Sequence, residues 1–183
     1  MDRFIKIVVA TALLLAGTTF LHGQTQMSMP GQTWGTFVHQ VEVGPGVNLP
    51  ALVNLNLDGS VIGGSGLMFG GLPGSPNRLS TIHGVWRKTG VRSVGATTLF
   101  FIFDANGILT GYQRNRCTLK FSTDAKSYQG TEFMETTACS SPFTCPDPLD
   151  PATVWTPLPD MPPTGFPVSG KRVQWLPAGP LSP

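Results

Sequence analysis

Four polar side chains recur at strand spacing late in the chain: Gln113 and Asn115 in ILTGYQRNRCTLKF, and Glu132 and Thr136 in TEFMETTA. An amide donates and accepts at once, so a pair of them can orient a polar group. A carboxyl accepts hydrogen bonds when ionised and moves protons when its surroundings shift its affinity for them. Residues two apart on a strand share a face. The stretch FSTDAKSY reads as a turn that sets Phe121 opposite Tyr128. Counting away from the turn along both strands then sets Cys117 against Glu132, Asn115 against Met134 and Gln113 against Thr136. The odd face of 109–121 carries Leu109, Leu119 and Phe121, so it turns inward and takes the polar residues with it. A buried carboxylate without partners is costly. Glu132 must therefore be hydrogen-bonded, protonated or open to water in a cavity.

What stands across from this patch depends on the preceding hairpin. FIFDANGILTG suits a type I turn followed by a glycine bulge at Gly107, which pairs Phe103 with Leu109, Phe101 with Gly111 and Leu99 with Gln113. Phe101 then joins Met134 as apolar wall beside the polar group. A two-residue loop would shift parity and turn Phe100 and Ile102 inward instead. The candidate ligand-contacting set is thus Gln113, Asn115, Glu132, Thr136, Met134 and Phe101, with no residue assigned to catalysis.

Other chemical signals are weaker. GGSGL lacks the last glycine of a nucleophile elbow, and GSGLMFG has the wrong spacing for a dinucleotide loop. Beyond the N-terminal segment only His39 and His83 remain, in distant segments without a third metal ligand, so no metal or cofactor is expected. Basic residues in 78–120 lie among Thr and Gly without interleaved aromatics, as on a solvated sheet face rather than a nucleic-acid surface. Of the three cysteines, Cys117 is held opposite Glu132, well out of register with Cys139. That leaves Cys139 and Cys145 to close the small loop ACSSPFTCP as a disulfide, with Cys117 a buried free thiol.

The elements that must position these groups follow from the organisation of the 183-residue chain. MDRFIK followed by IVVATALLLAGTTF reads as a signal peptide over 1–23, with cleavage before Gln24. The remaining 24–183 suits one domain with a net charge near +1. Turn signals at GPG, DGS and NG separate β-rich runs near 34–43, 48–57, 60–69, 81–88, 92–103, 108–122, 127–138 and 167–175. Twelve of the 17 prolines fall after residue 141, making 139–166 a long Pro-rich loop and 176–183 a tail. Eight antiparallel strands joined as consecutive hairpins predict an all-β, up-and-down barrel, whose closure removes free edges.

The segments GQTWGTFVHQVEV, LNLDGSVIGG, IHGVWRKTG, FIFDANGILTGYQ and SGKRVQW resemble small secreted bacterial β-barrel proteins of the lipocalin or calycin type. That resemblance implies a basic residue, Arg172, packed over Trp34 at the closed end of the barrel. The inward polar patch within an apolar barrel wall points to an interior that takes a small hydrophobic or amphipathic molecule. The expectation is therefore a secreted or periplasmic, ligand-binding barrel without integral membrane insertion. Two alternatives stay open. One is a filled structural barrel of the cell envelope that works through its Pro-rich loop. The other is a barrel cyclase or isomerase with Glu132 as general acid or base.

Overall fold

The computed structural model describes residues 33–68 and 77–174; the expected leader, the C-terminal tail and most of the glycine-rich segment 70–78 lie outside them. The strands are β1 (Gly35–Gly44), β2 (Val47–Leu55), β3 (Ser60–Ser65), β4 (Arg78–Leu79), β5 (Ile82–Lys88), β6 (Ser93–Phe103), β7 (Leu109–Phe121), β8 (Ser127–Ala138), β9 (Thr156–Pro157) and β10 (Phe166–Arg172). Among the described residues every strand pairing is antiparallel. The order runs β10-β1-β2-β3-β5-β6-β7-β8, and β10 also pairs with β8. Eight strands thus form a closed up-and-down barrel, while β4 and β9 are two-residue additions along β6 and β8.

Alternation decides which side chains fill the barrel. In β1, Phe37, His39 and Val41 are buried while Thr36, Val38 and Gln40 are exposed; β7 buries Gly111, Gln113, Asn115, Leu119 and Phe121 on one face. One end is plugged by three rings. Phe37 lies 5.6 Å from Phe121 and 5.3 Å from Tyr128, and Phe121 and Tyr128 are themselves 5.3 Å apart, in tilted or edge-on geometries that suit aromatic quadrupoles. Arg172 covers this plug. Its guanidinium sits 4.8 Å above the Phe37 ring, donates from Nε to the Ala125 carbonyl at 3.0 Å and from Nη1 to the Trp34 carbonyl at 2.7 Å. The expected Arg172–Trp34 contact therefore runs through the Trp34 backbone, and the stacked ring is Phe37.

The β6–β7 hairpin departs from the expected parity. Its loop is as anticipated: Gly107 takes a positive φ of 78°, its N–H donates to the Asp104 carbonyl, and Phe103 pairs with Leu109. One step later the register shifts. Ile102 pairs with Gly111, Phe101 with Tyr112 and Phe100 with Gln113, leaving Thr110 as an extra residue in β7. Thr110 Oγ1 donates to the Ile102 carbonyl across this bulge. A single extra residue exchanges the two faces of β6. Phe100 is buried, whereas Phe101 is 50 % exposed and packs on Tyr112 and Phe103 outside the barrel.

The Pro-rich segment between β8 and β10 packs part of its length onto the end of the barrel opposite the aromatic plug. Leu158 and Met161 pack on the core, the Leu158 N–H donates to the Met134 carbonyl, and Met161 Sδ accepts from the Met134 N–H. Trp155 is held by Arg114, whose guanidinium stacks 4.3 Å from its ring. Arg114 and Arg116 both grip Glu135, a buried carboxylate on the outer face, through four N–H donors at 2.8–3.1 Å. Shared charge-assisted bonds of this kind fix the guanidinium plane on which Trp155 rests. Farther along, Cys139 and Cys145 form the expected disulfide.

Candidate functional site

Between the plug and the loop lies a cavity of about 430 Å³. Val41, Leu55, Val61, Ile82, Phe100 and Phe166 are among its apolar lining residues; most of the polar side chains stand on the wall made by β7, β8 and β1, with Ser65, Asn77, Thr98 and Asp160 elsewhere. The β7–β8 register is the one read from the turn: Cys117 opposes Glu132, Asn115 opposes Met134 and Gln113 opposes Thr136. Gln113, Asn115, Glu132, Thr136 and Met134 all line the cavity. Phe101 does not, because the Thr110 bulge turns it outward; Phe100 stands in its place.

Glu132, only 3 % exposed, is the centre of a converging set of donors. Asn115 Nδ2 donates to Oε1 at 2.5 Å, while His39 Nε2 at 3.0 Å and the Cys117 thiol at 3.1 Å both meet Oε2. Beyond these, Gln113 Nε2 donates to Asn115 Oδ1 at 2.8 Å, and Tyr128 Oη lies 2.7 Å from His39 Nδ1. Donor direction follows from the carboxylate, which can only accept. Toward such an acceptor His39 donates from Nε2, and in the neutral ring Nδ1 is then the acceptor for the Tyr128 hydroxyl. Five side chains are thereby ordered about one acid. Among the described residues no fully buried side-chain nitrogen or oxygen lacks a partner.

Burial raises the proton affinity of the two weak acids beside Glu132. The Cys117 thiol is pushed well above its ordinary value of 9.0, by desolvation first and by the neighbouring carboxylate second. Tyr128 is pushed above its ordinary 10.0 by desolvation, then by Cys117 and Glu132. Both remain protonated donors at neutral pH. A thiol held in this way is a poor nucleophile, since the thiolate is the reactive form.

His39 and Tyr128 belong to the site although their types and spacing in sequence do not single them out. Closure brings them together: His39 on β1 pairs with Gly170 on β10, and Gly170 pairs with Tyr128 on β8. Gly170 has no left-handed φ; the space above it is what demands glycine, because a Cβ there would overlap Cζ and Cε1 of the Tyr128 ring. The ring lies across β10 and so reaches from β8 to β1. The signal available in sequence was the alternation of Phe37, His39 and Val41, which places the histidine inward. Leu158, Pro159 and Asp160 of the Pro-rich loop also line the cavity, and proline-dense sequence carries no periodicity to reveal them.

Comparison of the chain with protein-family models, with curated proteins and with solved structures finds no match to any of them.

Proposed function

We propose that this barrel is an exported carrier of a small, mostly apolar molecule that carries a polar end, a calycin-like binding protein in architecture and use. One observation supports it above the rest: the interior is open. A volume of about 430 Å³ with an apolar wall and a few convergent polar groups falls in the range of small-molecule sites, about 300–1,000 Å³. A structural barrel would fill that space with side chains. The acid–base reading of Glu132 draws less support, because three donors already occupy its two oxygens. The leader-like N-terminal segment and the Cys139–Cys145 disulfide favour an oxidising compartment outside the cytoplasm.

The test is native mass spectrometry of the protein recovered from its own host, joined to uptake of the neutral fluorophore N-phenylnaphthylamine. The expected result is a noncovalent small molecule released on denaturation, and dye fluorescence that Ala51→Phe, which fills the cavity, suppresses. A protein that carries nothing and takes up no dye would overturn the proposal.

A further inference from the structure

The chain of hydrogen bonds on the polar wall has a direction, and its free end faces the ligand space. Glu132 accepts, so Asn115 must turn its NH₂ toward the carboxylate; its carbonyl then faces Gln113, which must turn its own NH₂ to meet it. The carbonyl Oε1 of Gln113 is left pointing away from the chain. Among the described residues nothing donates to it, and it is not among fully enclosed polar atoms, so it opens into the cavity that Gln113 lines. Each link polarises the next. An acceptor at the end of a chain that starts on a carboxylate is a better acceptor than an isolated amide.

The charges around the cavity act in the same sense. Glu132 lies on its wall and Asp160 at its loop-covered end, while no Lys or Arg is found among the described residues that line it. An anionic head group entering this space meets, among the described residues, the carboxyl side chains of Glu132 and Asp160 and no Lys or Arg, and must also shed its water. The hydroxyls of Thr98 and Thr136 on the same side of the cavity can donate or accept, so they fit a hydroxyl as readily as a carbonyl.

From these features, and resting on the carrier reading above, we infer that the cavity selects an uncharged molecule whose polar end donates a hydrogen bond, an alcohol on an apolar body, with Gln113 Oε1 as the acceptor, and that it rejects fatty carboxylates. Gln113 is then the specificity-determining residue, and Glu132 sets its orientation from two residues away through Asn115.

The experiment displaces N-phenylnaphthylamine from the full protein with decanol, methyl decanoate and decanoate at neutral pH, where the last is ionised. Decanol is expected to compete at concentrations at least about tenfold below decanoate, and about fivefold below the methyl ester, which lacks the donor. Gln113→Met, close in shape, should abolish the gap between alcohol and ester while leaving decanoate weak. Decanoate competing as well as decanol overturns the inference and leaves the carrier reading standing; that comparison uses the unmodified protein and survives any misfolding of the variant. An alcohol–ester gap that persists in a folded Gln113→Met protein overturns the role of Gln113. Dye that never binds overturns both readings together.

Discussion

Gly170 offers a sharp quantitative test, because the usual expectation for its substitution has the opposite sign. In an extended strand, replacing glycine by alanine removes backbone freedom from the unfolded chain and normally stabilises by about 0.5–1 kcal/mol. Here the added Cβ would occupy the place of the Tyr128 ring. The ring must swing away from β10, and overpacking of that kind costs about 1–3 kcal/mol. Moving it also breaks the bond from Tyr128 to His39, one of the two held by the imidazole, at a further cost of about 0.5–1.5 kcal/mol. The net for Gly170→Ala is a loss near 2 kcal/mol, or a fall in Tm of about 4–8 °C for a chain of this size. Urea unfolding followed by tryptophan fluorescence measures it, and Tyr128→Leu supplies the control. With the ring truncated, the same glycine substitution should become neutral or stabilising. An alanine variant as stable as the parent, or an undiminished penalty in the Tyr128→Leu background, would refute the claim that the ring's path over β10 fixes the site.

The other predictions follow from the weak acids and from the loop. Tyr128 and Cys117 have proton affinities raised by folding, so the folded state holds their protons longer than the unfolded chain. Their contribution to stability is whole below the ordinary values of 9.0 and 10.0 and is lost as pH climbs above them. Stability measured against pH should accordingly fall from about pH 9 upward, with a later onset in Cys117→Ala, and a profile flat to about pH 11 would contradict it. In the native protein Cys117 should react with iodoacetamide at least about tenfold more slowly than a free thiol at about pH 8, checked by mass spectrometry with and without urea. Trp155→Ala removes the ring stacked on Arg114 and loosens the loop that carries Leu158–Asp160. Dye dissociation should speed up about threefold with little change in Tm, as measured by stopped-flow fluorescence.

How far the site could be read from the chain depends on how local its geometry is. The β7–β8 hairpin is closed by a short turn, so the pairing of Phe121 with Tyr128 fixed every cross-strand neighbour up to Gln113 and Thr136. The disulfide followed from that same register. Phe101 went astray because one extra residue, Thr110, has no composition to betray it yet inverts the faces of β6. His39 and Tyr128 escaped for a different reason: no turn connects them, and only the closing strand brings them within reach. The loop residues Leu158 and Asp160 were beyond any periodic argument, since proline suppresses the patterns by which elements are recognised.

Vectorial synthesis gives that closing strand a further meaning. Tyr128 lies 89 residues after His39, and β10 is later still. Without β10, both β1 and β8 would lack a partner on one side. At that stage the imidazole has met neither the phenol nor the acid, and nothing encloses the space between them. Arrival of β10 closes the wall and brings His39 to a carboxyl group that the β7–β8 hairpin already holds beside Asn115 and Cys117, so closure of the barrel and completion of the polar group coincide.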